Sequence, residues 1–227
     1  MPTIHIAGDS TAAIKAENKR PETGWGEKLP CYFNTSISFN NQARNGRSTK
    51  SFLEEGRLTR LSAKFLPGDF LLVQFGHNDQ KINEPKGTSP YKEYIENLTV
   101  FAQTADAANV SPIFLTPVTR RNYLSDGTLA PDCLGDYPQA MKLFARKNNY
   151  SVLDIFSLSQ QLLRSFTQEQ TKDFYLHLAP KVHKNYPNGL QDNTHFSPLG
   201  AEKIAYLIVQ AIKKSNLSLA QFLKEGV

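Results

Sequence analysis

The sequence contains little cysteine and no long apolar run. Its 227 residues include only Cys31 and Cys133, without a Cys-x-x-Cys motif, so we predict free thiols and neither a disulfide framework nor a metal site built on cysteine. No stretch approaches the ~20 apolar residues that a membrane helix needs, and no signal region precedes the apolar run that follows Met1. Provided that no leader has been removed, these absences predict a soluble cytoplasmic protein with no membrane partner.

A block of basic residues is also missing. The 26 Lys and Arg residues are interspersed with 21 Asp and Glu residues, which leaves a net charge of +5. No nucleic-acid partner is therefore predicted, and the excess charge is typical of a solvated surface. If the charge serves a ligand, that ligand is expected to be anionic. The absence of repeats and of a long linker predicts one domain spanning residues 1–227.

Short apolar runs alternate with segments of helical period, which predicts βαβ units and a mainly parallel sheet. The predicted strands are Thr3–Ala7, Ser36–Asn40, Asp69–Phe75, Pro112–Pro117 and Ser151–Ile155. The predicted helices are Ser48–Leu58, Tyr91–Asn109, Tyr137–Asn149, Leu158–Thr167 and Pro198–Lys214. The segments Lys81–Pro90, Tyr123–Pro138 and Leu176–Asn193 are rich in turn residues and are predicted to be loops. The fold class is therefore α/β.

Three polar motifs follow the first three predicted strands. Gly8-Asp9-Ser10 ends the first strand, Gly46 precedes a helix after the second, and Gly76-His77-Asn78-Asp79 ends the third. Ligands bind at the carboxyl ends of parallel strands, where a serine could act as nucleophile and backbone N–H groups or a carboxamide could stabilise an oxyanion. Each motif alone has a structural alternative, because Asp, Ser and Gly are also ordinary turn residues.

A fourth motif, Asp192-Asn193-Thr194-His195, precedes the last predicted helix. In a helical turn or a tight loop this spacing brings the carboxylate of Asp192 to the ring of His195, whose other nitrogen then faces the serine. A lone histidine at a helix start is more often a capping or packed residue. Its pairing with an aspartate, in a chain that also supplies Ser10, Gly46 and Asn78, favours a serine hydrolase.

Taken in order, these four motifs resemble the sequence blocks of the SGNH (GDSL-like) hydrolase superfamily. Over roughly Ile4 to Ile212 the chain is similar to the rhamnogalacturonan acetylesterases, carbohydrate esterase family twelve. The closer likeness depends partly on longer matches at the blocks, which are Gly8-Asp9-Ser10-Thr11-Ala12, Gly46-Arg47-Ser48 and Asp192-Asn193-Thr194-His195-Phe196-Ser197. It depends also on segments between the blocks, which are Gly24-Trp25-Gly26, Thr116-Pro117-Val118-Thr119-Arg120-Arg121, Gly135-Asp136-Tyr137-Pro138-Gln139-Ala140-Met141 and Asn185-Tyr186-Pro187-Asn188-Gly189.

The resemblance implies a three-layer α/β/α sandwich around a five-stranded parallel sheet, of the flavodoxin-like SGNH type. It also implies a catalytic triad of Ser10, Asp192 and His195, and an oxyanion hole formed by the N–H groups of Ser10 and Gly46 with the side chain of Asn78. No cofactor and no metal are expected. The expected activity is removal of O-acetyl groups from pectin-derived oligosaccharides.

The substrate contacts are open. Arg47, Arg120 and His183, together with Arg121 and Lys181, could bind uronate carboxylates, but a structural or solvated role is favoured for each. Trp25 could stack on a sugar or pack beneath the nucleophile turn. The oligomeric state is not predicted.

Other functions remain as alternatives. An esterase of the same fold could act on acetylated xylan or on short acyl esters. A metal-dependent phosphoesterase is a distant alternative, because the motifs contain Asp and His residues that could bind metal. However, these residues do not occur in the order that the metal ligands of such enzymes usually have. A non-catalytic sugar-binding protein is disfavoured because every triad member is present. An α/β-hydrolase is disfavoured because the sequence contains no Gly-x-Ser-x-Gly elbow.

Overall fold

The computed structural model describes residues 1–227, and its centre is a parallel sheet of five strands. The strands are β1 (Thr3–Gly8), β2 (Ser38–Asn41), β3 (Phe70–Gln74), β4 (Ser111–Leu115) and β5 (Ser151–Leu153). Their order across the sheet is β2-β1-β3-β4-β5. This is the flavodoxin-like order, so the predicted fold class is confirmed.

The central strands bury both of their faces. In β1, Ile4 and Ile6 face one apolar cluster while Ala7 faces the other, and β3 divides its residues in the same way. Strands with two buried faces appear in sequence as continuous apolar runs rather than as alternating ones. The chain leaves β1 toward β2 on one side and returns to β3 on the other, so a crevice opens at the carboxyl end of β1.

Seven helices form the outer layers. They are α1 (Trp25–Lys28), α2 (Thr49–Glu54), α3 (Arg57–Ser62), α4 (Glu93–Ala107), α5 (Tyr137–Lys147), α6 (Ile155–Arg164) and α7 (Pro198–Lys214). Residues of α1, α6 and α7 cover one face of the sheet, and residues of α2, α3, α4 and α5 cover the other. The predicted three-layer arrangement is therefore confirmed. No helix is long and apolar enough to cross a membrane.

The last helix has the predicted bounds, but the first long helix does not. At the start of α7, the Ser197 hydroxyl accepts a hydrogen bond from the Gly200 N–H at 3.1 Å, as expected for an N-cap. The predicted helix Ser48–Leu58 is instead divided into α2 and α3. The break lies at Gly56, whose φ of +62° is left-handed and ends a helix at little steric cost.

The largest difference from prediction concerns the segment Leu176–Asn193, which is a β-hairpin rather than a loop. Strands β6 (Tyr175–Leu178) and β7 (Leu190–Phe196) pair in antiparallel fashion. The pairing is irregular, because Leu176 pairs with Asp192 whereas Tyr175 pairs with Phe196. Residues 193–195 therefore form a bulge, a device that redirects side chains next to a site.

Candidate active site

The predicted nucleophile lies in a tight turn just after β1. No helix begins there; instead, the Asp9 carboxylate accepts hydrogen bonds from the Thr11 N–H at 2.9 Å and from its hydroxyl at 2.7 Å. The Ser10 side chain is almost fully buried. Its Oγ lies 2.9 Å from His195 Nε2, the distance of a good hydrogen bond.

Asp192 and His195 meet through the bulge of β7, and not in the helical turn or tight loop expected from the sequence. Asp192 Oδ1 accepts hydrogen bonds from the backbone N–H groups of Thr194 at 2.7 Å and His195 at 2.9 Å. These bonds fold the strand back on itself, so that Asp192 Oδ2 reaches His195 Nδ1 at 2.7 Å. A regular strand would have sent these side chains to opposite faces.

The carboxylate of Asp192 is held in its charged form. Burial acts to raise its pKa, but the hydrogen bond and charge of His195, with the two backbone N–H groups, outweigh burial and lower the pKa to about 2. At neutral pH Asp192 is therefore only an acceptor, which keeps the proton of His195 on Nδ1 and leaves Nε2 free to accept from Ser10. A serine hydroxyl in this arrangement can lose its proton while it attacks a carbonyl.

The three predicted oxyanion donors face the same cleft. Neither the Ser10 N–H nor the Gly46 N–H donates a hydrogen bond within the protein, and Gly46 adopts a left-handed φ of +78°. Asn78 Nδ2 donates one N–H to Arg47 O at 3.0 Å, which leaves its second N–H available. Ser10, Gly46, Asn78 and His195 all line one cavity of about 420 Å³.

A second Asp–His pair lies behind the nucleophile turn. His77 Nδ1 contacts Asp9 Oδ2 at 3.0 Å, and both side chains are buried. Burial acts to raise the pKa of Asp9, but His77 and Thr11 together bring it below its ordinary value. Since His77 precedes Asn78 and Asp9 precedes Ser10, the pair ties the two motifs together.

Trp25 is packed rather than free to stack on a sugar. Its ring is fully buried, and its Nε1–H donates to Gln74 Oε1 at 3.0 Å. The alternative of packing beneath the nucleophile turn is therefore the one observed.

Asp79 is a buried acid next to Asn78. Its Oδ1 accepts hydrogen bonds from the Thr49 N–H at 3.0 Å and from the hydroxyls of Thr49 and Thr88, whereas its Oδ2 has no partner. Burial raises its pKa to about 7 despite these bonds. The folded protein therefore keeps a proton on Asp79 at pH values where the unfolded chain has released it.

This difference predicts a pH effect on stability. Because the pKa of Asp79 is raised in the folded state, its contribution to stability falls as pH rises from about 4 to about 7. Asp79→Asn should remove this dependence. The free energy of unfolding of the variant minus that of the original protein should therefore be about 3 kcal/mol higher at pH 8 than at pH 5. Urea unfolding at both pH values measures it. The exposed Asp132→Asn serves as control, and equal changes in both variants would contradict the prediction.

The predicted substrate contacts do not line the cavity that contains Ser10. Arg47 is bound to Glu55 at 2.9 Å, and Arg120 donates to the Thr194 hydroxyl at 2.9 Å. His183 lies in a separate depression with Arg20 and Pro21. These contacts favour the structural alternative for Arg47 and Arg120, and as substrate contacts all three residues stay predictions.

The positive charge of the cleft comes from other residues. Lys19, Lys81 and Lys86 line the cavity together with Leu176, Tyr186 and Leu190. The sequence analysis missed the lysines because they lie in loops whose positions depend on the whole fold. It also missed Lys15 and Glu22, which form a buried ion pair of 2.7 Å beside the cleft. A charged residue in a loop is usually solvated, so nothing in the sequence signals such burial.

Among all residues of the chain, no group of three or more His, Cys, Asp and Glu side chains is placed to hold a metal ion. Cys31 and Cys133 are unpaired, as predicted.

Comparison with known proteins agrees with this geometry. The GDSL-like lipase/acylhydrolase family model matches residues 6–203. The chain belongs to this family. Among curated proteins it is similar to the rhamnogalacturonan acetylesterase RhgT of Bacillus subtilis (strain 168), with 39% identity over 98% of this chain and 95% of that protein. The probable rhamnogalacturonan acetylesterase YesY of the same organism is 34% identical, over 96% of this chain and 95% of YesY.

The crystal structure of Bacillus subtilis YxiM shares the fold. It superposes with a TM-score of 0.80 at 24% sequence identity, over 96% of this chain and 57% of that chain. The family assignment and the fold inferred from the sequence motifs are thus confirmed.

Proposed function

We propose that this protein is a serine esterase that removes acetyl groups from pectin-derived oligosaccharides of the rhamnogalacturonan type. The observation that carries the proposal is the continuous hydrogen-bonded chain from Ser10 through His195 to Asp192, with distances of 2.9 Å and 2.7 Å. This chain ends in a cleft that also presents unpaired N–H donors. Together they supply a nucleophile, a base and a site for negative charge, which acyl transfer requires.

In the proposed mechanism, Ser10 Oγ attacks the acetyl carbonyl carbon as its proton moves to His195 Nε2. The tetrahedral oxyanion accepts hydrogen bonds from the N–H groups of Ser10 and Gly46 and from the free N–H of Asn78. The intermediate collapses, and the sugar oxygen leaves with the proton from His195. Water then attacks the acetyl-serine with His195 as base, which releases acetate and restores the hydroxyl. The chemistry requires no cofactor.

Two features support an acetylated, anionic oligosaccharide as substrate. RhgT is named a rhamnogalacturonan acetylesterase and YesY a probable one, and both are more than 30% identical to this chain over nearly its full length. The cleft is lined by Lys19, Lys81 and Lys86, of which Lys86 and Lys81 share Glu84 at 3.0 Å and 3.8 Å. The net positive charge that remains raises the local concentration of a galacturonate-containing chain. The carboxylates lining the same cleft, Glu22 and Asp192, are paired with Lys15 and His195.

The substrate is tested by measuring acetate release from acetylated rhamnogalacturonan oligosaccharides and from acetylated xylan. We expect the acidic substrate to have the higher kcat/KM. Changing Lys19, Lys81 and Lys86 together to Gln should lower that value roughly tenfold while leaving hydrolysis of neutral 4-nitrophenyl acetate unchanged. Equal loss on both substrates, or a preference for xylan, would refute the assignment of the acidic substrate while leaving the esterase intact.

A further inference from the structure

Lys15 is a buried lysine with three acceptors around its ammonium group. Its side chain is 1% exposed and lies in the loop between β1 and α1. The Nζ atom contacts Glu22 Oε1 at 2.7 Å, Asn45 Oδ1 at 2.8 Å and the carbonyl oxygen of Ser10. The bonds to Asn45 and Ser10 use two of the three N–H donors of a protonated lysine. The contact with Glu22 is an ion pair, and Glu22 Oε1 accepts no hydrogen bond.

These acceptors belong to two different parts of the proposed oxyanion hole. Ser10 supplies the first backbone donor, and Asn45 directly precedes Gly46, which supplies the second. Outside the chain neighbours, no atom lies within 4 Å of the position that a Gly46 Cβ would occupy, so side-chain packing against Gly46 contributes little to holding it. The ammonium of Lys15 thus joins the nucleophile turn to the loop of Gly46, in addition to the backbone bond from the Arg44 N–H to Gly8 O at 3.0 Å.

Glu22 extends the connection to the histidine. Its carboxylate is 8% exposed, and Oε1 lies 4.0 Å from His195 Nε2. The next residue, Thr23, donates its backbone N–H to Phe196 O at 3.0 Å, which ties this loop to the strand that carries His195. The ion pair therefore contacts the nucleophile turn and the Gly46 loop and lies beside the His195 ring, while the neighbouring Thr23 binds the strand that carries this histidine.

Burial of such a pair is a poor way to gain stability. Desolvation lowers the pKa of Lys15, and the charge of Glu22 only opposes this effect. Replacing a buried ion pair by apolar or neutral groups of similar size is often neutral for stability, whereas removing one partner leaves a buried charge uncompensated. We therefore expect this ion pair to have a role other than stabilising the fold.

We propose that Lys15 and Glu22 are positioning residues that hold the nucleophile turn, the Gly46 loop and His195 in the relative positions that acyl transfer requires. This inference rests on the proposed esterase function. Lys15 acts through Ser10 and Asn45, and Glu22 acts by fixing Lys15 and by lying beside the imidazole. Neither residue exchanges a proton with the substrate.

Two variants separate positioning from stability: Lys15→Met and the double variant Lys15→Met with Glu22→Gln. Lys15→Met should lower kcat for 4-nitrophenyl acetate roughly a hundredfold with little change in KM, since a misplacement of about 1 Å costs that much. It should also lower the melting temperature, because Glu22 is left unpaired. In the double variant both charges are gone, and we expect the melting temperature to recover while kcat stays low. Recovery of kcat together with stability would overturn the proposal.

Asn45→Ala provides a test that does not depend on burial of a charge. Asn45 is partly exposed, so the variant is expected to fold, and kcat should fall roughly tenfold at unchanged KM. Gln42→Ala, an exposed change on the same loop, is the control and should retain full activity. An unaltered kcat in Asn45→Ala would refute the role of Lys15 in this loop. If the original protein releases no acetate from any ester, it is the proposed function that fails instead.

Discussion

Replacing Ser10 by alanine should abolish ester hydrolysis, with a loss in kcat of at least about 10⁴-fold. The change removes only the Oγ atom that lies 2.9 Å from His195 Nε2, so the cleft and its N–H donors remain. Without a nucleophile no acetyl-enzyme forms, and the residual rate reflects binding and oxyanion stabilisation alone. Steady-state hydrolysis of 4-nitrophenyl acetate measures the loss, and a circular dichroism melt verifies the fold.

A second variant tests whether Ser10 and His195 act as one unit. Residues that share a step lose activity in a strongly non-additive way. We therefore expect Ser10→Ala, His195→Ala and the double variant to have similar low rates. Additive losses would show that the two side chains work independently and would contradict the triad. In the original protein, rapid quenching followed by mass analysis should reveal one acetyl group on the peptide that contains Ser10.

The positions of Ser10, Gly46 and Asn78 could be predicted because they depend on the regular part of the fold. Each follows one of three strands that are neighbours in the parallel sheet, and the carboxyl ends of such strands meet at one edge. The order of these residues in the sequence and the apolar runs before them were enough to predict that they lie close together. The three-layer arrangement followed from the same alternation of strands and helices.

The contact between Asp192 and His195 could be expected, but not the structure that produces it. Strand β7 has a mostly polar sequence, Leu-Gln-Asp-Asn-Thr-His-Phe, so no alternation of apolar residues marks it as a strand. Its pairing with β6 and the bulge at residues 193–195 are long-range features. Sequence spacing alone suggested a helical turn or a tight loop, because the three-residue separation suits either.

The charged residues were the least predictable part of the site. The sequence left open whether Arg47 binds substrate or has a structural role, and its ion pair with Glu55, at the end of α2, could not be predicted. Lys15 was not singled out, although it is more deeply buried than any other lysine of an ion pair. The energy of a charge depends on which groups the whole fold brings around it, and local sequence does not contain this information.

Asn78→Ala should lower kcat by about 10² to 10³-fold and change KM little. The side chain is held by one hydrogen bond, from Nδ2 to Arg47 O at 3.0 Å, and its other N–H is free to meet the charge that develops on the substrate oxygen. A donor that is already fixed before the reaction stabilises the transition state more than the ground state, and removal of one such donor has an effect of this size. Kinetics with 4-nitrophenyl acetate and with the acetylated oligosaccharide should give the same loss.

The bond to Arg47 also gives Asn78 a structural role, which the experiment must separate from catalysis. Asn78→Asp has nearly the same shape but replaces the donor by an acceptor, so it should be at least as inactive as Asn78→Ala on both substrates. Gln80→Ala, two residues further along the same loop, should keep its activity and controls for disturbance of the loop. If Asn78→Ala retained near-normal kcat while Ser10→Ala was inactive, the oxyanion would be stabilised by the backbone N–H groups of Ser10 and Gly46 alone. The carboxamide would then serve only to hold the Arg47 carbonyl, and its assignment to the oxyanion hole would be wrong.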